Sequence, residues 1–451
     1  MSEKLGKVLV IGAGLAGSEA ANYLANNNIE VILIENKTIK KNPAQKVNTF
    51  AELVCTNSLK SKNATSGHGL LKVEMRAMNS VVLEIGEKTS VPAGDALAVD
   101  RDEFSRQMTE HLTSHKNITV IEKEAEDPIA LKKEYGCDYV VVASGPLTTT
   151  PLEKWIQTTI SKDDFYFYDA IAPVVDADSL DYTKLYFKDR HKEPDESADY
   201  LNAPMNEEQY YKFVEEMVAA EKVPAQKFED YKFFEACLPV DLMAERGKDT
   251  PRFSCMKPIG LTMRDGTQPY AVIQLRKENL LGSAFNLVGF QTRLKYPEQL
   301  RVFRTIPGFE NATFNHLGSV HRNSFLNSRK LLNFDLSSKE YPDVFFAGQI
   351  TGVEGYTESA SMGLYVGFQI LRQLEGKKSL EWPVETAFGA LVNFLMTVPK
   401  PVPSSINFGL LPTIALSKEQ RRNKDRKKIK KQLVADRALK VFTEFFDGAM
   451  S

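Results

Sequence analysis

A glycine-rich turn near the N-terminus constrains the fold of this chain more than any other feature. The turn, GAGLAG at residues 12–17, follows an apolar strand-like run, Lys7–Ile11, and precedes a segment of helical character. In a GxGxxG pattern of this kind, Gly12 permits a tight turn, Gly14 lets a pyrophosphate approach the backbone, and Gly17 permits close helix packing. The N-terminus of the helix adds partial positive charge that favours phosphate groups.

An acidic residue completes this pattern. Glu35 closes a second β-branched strand, Glu30–Ile34, and stands 18 residues after Gly17. This is about where a dinucleotide-binding βαβ unit needs an acceptor for a ribose hydroxyl. The strand, turn, helix and acid together predict a dinucleotide-binding unit at the start of the chain.

Two later strand–glycine segments point to FAD rather than NAD. One apolar strand ends at Gly145, and another ends at Gly348 and leads into Gly352 and Tyr356. In flavoproteins such late segments bring backbone amides to the flavin end of the cofactor. The sequence has no second GxGxxG, so we expect no separate NAD(P)H domain. NAD(P)H would instead have to reach the flavin face directly.

The order of these segments predicts an α/β chain with a discontinuous cofactor domain. We expect an FAD-binding Rossmann-type domain, glutathione-reductase-like, from residues 1–150 and 335–451. Residues 151–334 have a different composition, with mixed aromatic and charged residues and short strand candidates. We interpret them as an inserted α+β domain.

Composition excludes several classes of protein. The formal net charge of −2 argues against a chain that coats nucleic acid with its whole surface, so any RNA contact must be local. We find no long apolar run and expect no membrane span. The first strand begins so early that no signal peptide is expected, and four scattered cysteines suggest neither a disulfide framework nor a metal site. These features predict a cytoplasmic protein.

Two of the four cysteines are candidates for chemistry. Cys55 lies in a polar stretch, ELVCTNS, where a thiolate can be solvated and approached. Cys237 precedes Pro239, so its segment is unsuited to regular helix. Cys137 and Cys255 are instead expected to be small buried side chains. From these patterns alone, a structural role for Cys55 and Cys237 stays open.

A set of motifs runs in order along nearly the whole chain. They include GAGLAGSEAA (Gly12–Ala21), FAELVCTNSL (Phe50–Leu59), VPAGDALAVDRDEF (Val91–Phe104), FFEACLP (Phe233–Pro239), YAVIQLR (Tyr270–Arg276), NLVGFQT (Asn286–Thr292), HRNSFLN (His321–Asn327) and FAGQITGVEGYTESASMGL (Phe346–Leu364). With these motifs the sequence resembles one enzyme family, the TrmFO family of folate- and FAD-dependent tRNA uracil-5-methyltransferases.

The resemblance implies a reaction in which 5,10-methylenetetrahydrofolate supplies one carbon to uracil C5, with FAD and NAD(P)H as redox partners. Uracil C5 becomes nucleophilic only after a group such as a thiolate adds at C6, and a base must later remove the C5 proton. Cys55 and Cys237 match the cysteine pair of the family and would fill these two roles. The sequence does not assign one role to each.

Three further residues are candidates for substrate, folate or flavin contacts. Arg276 could steady an enolate oxygen or a folate carboxylate, or form a surface salt bridge. Tyr356 could stack on flavin or pterin, or pack in the core. His321 could face the flavin or the folate, or serve a structural role.

A basic segment near the C-terminus is the best candidate for an RNA contact. Lys418–Lys431 holds nine Lys or Arg residues and two acids, and on a helix it would form a basic face. The same chemistry on 23S ribosomal RNA, which the sister branch RlmFO performs, is the main alternative to a tRNA substrate. A small-molecule flavin oxidoreductase and a non-catalytic flavin-stabilised RNA-binding protein are further alternatives.

Overall fold

A computed structural model describes most of the chain. The described residues are 4–42, 44–161, 166–192, 195, 198–223, 238–278, 282–399 and 403–450. None of the helices in these ranges combines the length and apolarity that crossing a lipid bilayer requires.

The described elements alternate between strands and helices along much of the chain. The strands are β1 (Lys7–Ile11), β2 (Glu30–Glu35), β3 (Ser58–Ser61), β4 (Ser90–Val91), β5 (Ala96–Val99), β6 (Ile118–Glu122), β7 (Tyr139–Val142), β8 (Tyr166–Ile171), β9 (Val174–Asp176), β10 (Tyr186–Phe187), β11 (Tyr200–Met205), β12 (Ala271–Lys277), β13 (Ala284–Leu287), β14 (Phe314–His316), β15 (Ser319–Ser324) and β16 (Val344–Phe346). The helices are α1 (Leu15–Asn26), α2 (Gly67–Ala77), α3 (Val81–Lys88), α4 (Arg101–Ser114), α5 (Pro128–Glu134), α6 (Thr150–Trp155), α7 (Glu207–Ala219), α8 (Val240–Arg246), α9 (Thr250–Phe253), α10 (Tyr296–Phe303), α11 (Ser328–Leu331), α12 (Tyr356–Leu374), α13 (Ala387–Thr397), α14 (Lys418–Arg422) and α15 (Arg426–Met450).

A five-stranded parallel sheet forms the centre of the first unit of the fold. Its strand order is β16-β7-β1-β2-β6, with β1 in the centre. β1 and β2 are almost continuously apolar and buried, as expected for strands covered on both faces. Because β16 pairs with β7, the C-terminal part of the chain returns to the sheet that the N-terminal part begins. This arrangement confirms the predicted Rossmann-type fold with an inserted segment.

Helices α1 and α12 cross each other at very short range. A Cβ atom on Gly363 of α12 would lie 2.0 Å from the carbonyl oxygen of Ala16 in α1. Only a glycine therefore allows this approach. The crossing brings the start of α12, which carries Tyr356, to the same side of the molecule as the glycine turn.

A six-stranded antiparallel sheet forms the second unit. Its order is β10-β11-β12-β13-β9-β14, and Tyr200, Arg276, Asn286 and Val174 are register partners on four adjacent strands. Side chains alternate between the two faces of a strand. The neighbours of Asn286 on β13 pack into a hydrophobic core, so the row that contains Arg276 and Asn286 faces the other way.

Two hydrophobic clusters accompany the two sheets. One draws its buried residues from 8–160 and 326–449, and the other from 175–312. Leu152, Trp155 and Ile160 belong to the first cluster although they follow residue 150. The domain boundaries at residues 150 and 334 stay a prediction, which the two clusters support in outline.

The basic segment is not one continuous helix. Helix α14 ends at Arg422 and α15 begins at Arg426. Between them the Asn423 side chain accepts a hydrogen bond from the backbone N–H of Asp425 at 2.8 Å. Such a local side-chain turn competes with helical hydrogen bonding and breaks the segment in two.

Buried carboxylates cap helices of the first unit and should make its stability depend on pH. Glu74 of α2 accepts hydrogen bonds from the backbone N–H groups of Ala387 and Phe388, at 2.7 and 3.0 Å. Burial raises the pKa of Glu74 from 4.5 to about 8. The folded state then binds the proton more tightly than the unfolded chain does. The free energy of unfolding should therefore fall as the pH rises from about 4.5 to about 8.

We expect Glu74→Gln to reduce the slope of the free energy of unfolding against pH by on the order of 1 kcal/mol per pH unit, because glutamine keeps an acceptor and cannot ionise. Urea unfolding of both proteins at several pH values between 5 and 8 measures the slope. Glu19, a second buried carboxylate with a raised pKa, should leave some pH dependence in the variant. Equal slopes for the two proteins would contradict the assignment.

Candidate cofactor cleft and cysteine loop

The glycine turn has the geometry that the sequence predicted. Gly12 has a positive φ of +99°, and a Cβ on Gly17 would lie 1.8 Å from the Gly12 carbonyl oxygen. A Cβ on Gly14, in contrast, would have no atom within 4 Å. Gly12 and Gly17 thus serve the packing of the turn, whereas Gly14 faces open space where a ligand can approach the backbone.

Glu35 supports the turn from the second strand. Its carboxylate is buried and accepts hydrogen bonds from the backbone N–H groups of Ala13 at 2.7 Å, Asn36 at 2.8 Å and Lys37 at 3.0 Å. A carboxylate offers about four acceptor positions, so one remains for a hydroxyl donor. Glu35 therefore fixes the turn and can still bind a ribose.

Most of the sequence-predicted cofactor residues meet in one cleft of about 1110 Å³, part of which is open to solvent. Six of them line it: Gly12, Gly14, Glu35, Gly145, Gly348 and Tyr356. Gly17 lies beneath the turn. Gly352 has a positive φ of +95° and ends a short turn of helix behind the cleft. The cleft runs from the glycine turn to the ends of β7 and β16.

Tyr356 connects this cleft to the loop that carries Cys55. The Tyr356 hydroxyl accepts hydrogen bonds from the backbone N–H groups of Cys55 at 2.6 Å and Thr56 at 3.2 Å. Burial raises the pKa of Tyr356 far above its ordinary value, so the hydroxyl stays neutral. Cys55 itself is half-buried. The structure thus places Cys55 at the edge of the cleft, within one side chain of its lining.

Arg276 reaches the same loop from the antiparallel sheet. Its Nε donates to Asn57 Oδ1 at 2.9 Å, and its Nη2 donates to Thr56 Oγ1. The side chain is buried rather than exposed, and burial lowers its pKa. Arg276 therefore does not form the surface salt bridge considered above. It ties the cysteine loop to the second unit of the fold.

The other predicted site residues are described less fully. Cys237 lies outside the described residues, which resume at Leu238. His321 lies on β15, where its backbone pairs with Asp169 of β8, but its side chain is outside the described part. Their roles, like the role of Cys55, stay predictions.

Of the remaining cysteines, Cys137 is buried, as expected, whereas Cys255 is only partly buried. Burial raises the pKa of Cys137 to about 11 and the pKa of Cys255 to about 12. Both thiols are then protonated near neutral pH and are poor nucleophiles. Within the described ranges, no group of three or more His, Cys, Asp or Glu side chains could hold a metal ion.

Three polar residues at the site were not identified from the sequence. The Arg101 Nη2 atom lies 3.5 Å from the Cys55 carbonyl oxygen, and Glu278 pairs with Arg101. The Asn286 side-chain Nδ2 is buried with no hydrogen-bond partner in the described structure. All three lie inside motifs or beside strands that the sequence did identify. Their convergence depends on contacts between distant segments, which no local pattern signals.

Comparison with known proteins agrees with this geometry. The family model described as "Glucose inhibited division protein A" matches residues 7–378. The solved structure of Aquifex aeolicus GidA, in its form II crystal, aligns with a TM-score of 0.66 at 16% identity, covering 97% of this chain and 73% of that one. At this identity the similarity establishes the fold alone.

Curated relatives are far closer in sequence. The TrmFO protein of Persephonella marina is 48% identical over 439 residues, which cover 97% of this chain and 98% of the relative. The TrmFO protein of Aquifex aeolicus is 46% identical over 441 residues, covering 97% and 96%. Both are named methylenetetrahydrofolate–tRNA-(uracil-5-)-methyltransferase. With this identity over almost its whole length, the chain belongs to the TrmFO family.

Proposed function

We propose that this protein methylates C5 of a uridine in tRNA, with 5,10-methylenetetrahydrofolate as the one-carbon donor and FAD as the bound cofactor. The observation that carries the proposal is the position of Cys55, in a chain of the TrmFO family, at the edge of a dinucleotide cleft. The names of the relatives support tRNA as the substrate. No comparison favours 23S ribosomal RNA or a small-molecule oxidoreductase. A tRNA substrate is also consistent with a cytoplasmic location.

The residues of the cleft fit FAD. Gly14 leaves room for the pyrophosphate against the backbone, and it is the residue that precedes α1, where the N-terminus of a helix favours phosphate. Glu35 retains acceptor capacity for a ribose hydroxyl, while Gly145 and Gly348 line the far end where the flavin would lie. Bound FAD would supply the electrons that convert the transferred one-carbon unit to a methyl group. NAD(P)H is the external reductant in this proposal.

The chemistry assigned to the protein begins with a thiolate. One cysteine of the pair Cys55 and Cys237 adds to uracil C6, which forms an S–C6 bond and makes C5 nucleophilic. C5 then takes the one-carbon unit, and the second thiolate removes the C5 proton as tetrahydrofolate leaves. The S–C6 bond breaks once the exocyclic methylene has been reduced to methyl, a reduction for which bound reduced FAD would supply the electrons. Both roles require a cysteine in its thiolate form. Tyr356 and Arg276 hold the Cys55 loop in place for either role.

A methylation assay with cysteine variants tests the proposed function. Purified protein would be incubated with methylenetetrahydrofolate, NAD(P)H and either unmodified tRNA or unmodified 23S rRNA, and 5-methyluridine would be located by nuclease digestion and mass spectrometry. We expect methyl transfer to tRNA only. Cys55→Ala and Cys237→Ala should each lower it by roughly a hundredfold or more.

Cys137→Ala is the matched control, because its buried thiol has no assigned role and the variant should keep its activity. Methylation of rRNA alone would show that rRNA, and not tRNA, is the substrate. Methyl transfer that survives both cysteine substitutions would contradict the mechanism.

Two glycine variants separate cofactor binding from folding. Gly14→Ala adds a methyl group to open space, so it should leave the fold stable but reduce the bound flavin, measured by visible absorbance. Gly17→Ala forces a contact with the Gly12 carbonyl and should lower the melting temperature by several degrees, since about 1 kcal/mol shifts a domain by ~2–4 °C. Full flavin content in Gly14→Ala would exclude this cleft as the pyrophosphate site.

We propose further that the basic segment, residues 418–431, contacts the tRNA backbone. All nine of its Lys and Arg side chains are exposed, and none forms an ion pair with any described residue. These residues are Lys418, Arg421, Arg422, Lys424, Arg426, Lys427, Lys428, Lys430 and Lys431. Unpaired like charges on adjacent helices repel one another, and a polyanion relieves that repulsion.

The double variant Lys427→Glu/Lys428→Glu should weaken tRNA binding roughly tenfold and reduce the slope of log K against log salt by about 2. Filter binding at several salt concentrations measures both quantities. Lys116→Glu/Lys133→Glu makes the same change of charge at exposed positions elsewhere and should alter binding much less. An equal loss in both variants would indicate a net-charge effect without a specific contact.

A further inference from the structure

An ion pair stands directly beside the Cys55 loop. The Arg101 Nε and Glu278 Oε2 atoms lie 2.8 Å apart as an ion pair, and the hydrogen bond of the pair runs from Arg101 Nη2 to Glu278 Oε1 at 3.2 Å. The same Nη2 lies 3.5 Å from the carbonyl oxygen of Cys55. The pair is largely buried, with 19% of the Arg101 side chain and 9% of the Glu278 side chain exposed. Solvent and salt therefore screen its charges less than those of a surface pair.

The position of this pair is fixed by three segments. Arg101 is the first residue of α4, where the Asp100 side chain caps the helix by accepting from the backbone N–H of Glu103. Glu278 directly follows β12. Asn57 joins both to the cysteine loop, because its Nδ2 donates to the carbonyl oxygens of Val99 at 3.1 Å and Lys277 at 3.0 Å.

The charged groups around the loop come from several elements. Arg276 on β12 is positive and bonds to Thr56 and Asn57. Lys46 lies near enough to Arg101 for the two positive charges to interact, and burial and Arg101 lower its pKa.

Two further titratable groups near the loop, the carboxylate of Glu52 and the hydroxyl of Tyr356, do not add positive charge there. Glu52 is engaged by the Lys37 ammonium group and by the backbone of Lys46. The Tyr356 hydroxyl is neutral because burial raises its pKa. Arg101 and Glu278 are thus the two opposite charges that contact each other at the Cys55 backbone.

We propose that Arg101 is a positioning residue that holds the Cys55 peptide and favours the thiolate, and that Glu278 limits this effect by partly neutralising the guanidinium. A positive charge within a few ångströms stabilises a thiolate, whereas a negative charge opposes it. The inference deepens the proposed function, since it concerns how one of its two cysteines is made reactive. It predicts the direction of each effect: removal of Arg101 should make Cys55 less reactive, and removal of Glu278 should make it more reactive.

The test is the pH dependence of Cys55 alkylation in the flavin-loaded protein. Iodoacetamide would be added at several pH values, and modification of the Cys55 peptide would be followed by mass spectrometry, apart from the peptides of the other cysteines. We expect Arg101→Met to raise the apparent pKa of Cys55 by roughly one unit, and Glu278→Gln to lower it by a similar amount. Arg101→Lys keeps the charge and should stay closer to the wild type than Arg101→Met does.

Arg106→Met is the matched control on the same helix, because Arg106 is exposed and pairs only with the nearby Glu103 and Glu110 among described residues. It should leave the apparent pKa unchanged. Flavin absorbance and melting temperature would report any loss of folding. Should Arg101→Met fail to fold, the sign of the Glu278→Gln shift still decides the question.

Shifts in the same direction for Arg101→Met and Glu278→Gln would mean that the pair acts only by holding the loop, and would overturn the electrostatic part of the proposal. No shift in either variant would overturn it entirely. The alkylation assay does not depend on methyl transfer. If the shifts are opposite but the protein fails to methylate tRNA, the result would contradict the proposed function alone. If the protein methylates tRNA without these shifts, the result would contradict only this inference.

Discussion

The buried guanidinium of Arg276 is the interaction on which the geometry of the site depends. A buried cation is costly unless hydrogen bonds satisfy it, and Arg276 obtains two of them from Thr56 and Asn57. These two residues follow Cys55 directly. The requirement to satisfy one buried charge on the antiparallel sheet therefore fixes a loop of the Rossmann part. The cysteine loop is ordered because two units of the fold meet there.

Buried glutamate side chains hold the elements around the cleft by accepting hydrogen bonds from backbone N–H groups. Glu35 holds the glycine turn through Ala13. Glu19 accepts from the backbone N–H groups of Val81 and Val82, at the start of α3. In each case a side chain on one element satisfies donors that the end of another element leaves unpaired. These hydrogen bonds hold the elements around the cleft in fixed relative positions.

Much of the fold could be predicted from local patterns in the sequence. The glycine turn predicted its own backbone geometry, because no residue with a Cβ fits at Gly12 or Gly17. Asp100 followed three residues later by Glu103 is a local signal for the start of a helix, and Asp100 does cap α4. The late apolar strand before Gly348 was expected to rejoin the first sheet, and β16 pairs with β7. The basic segment would form one continuous basic face only as a single helix, and it is broken at Asn423, because a side-chain hydrogen bond over two residues competes with the helix.

The residues that control the cysteine loop could not be predicted in this way. Arg101 lies 46 residues from Cys55 in the chain, and Arg276 lies 220 residues from Thr56. The Asn286 Nδ2 atom, which has no hydrogen-bond partner among the described residues, is notable only once the register with Arg276 is known. By itself the sequence determined the strands, the glycine turn, the helix cap and the cysteines, since these follow from sterics and hydrogen bonding over a few residues. The tertiary structure alone decided which charges surround Cys55, because burial and ion pairing depend on segments that only folding brings together.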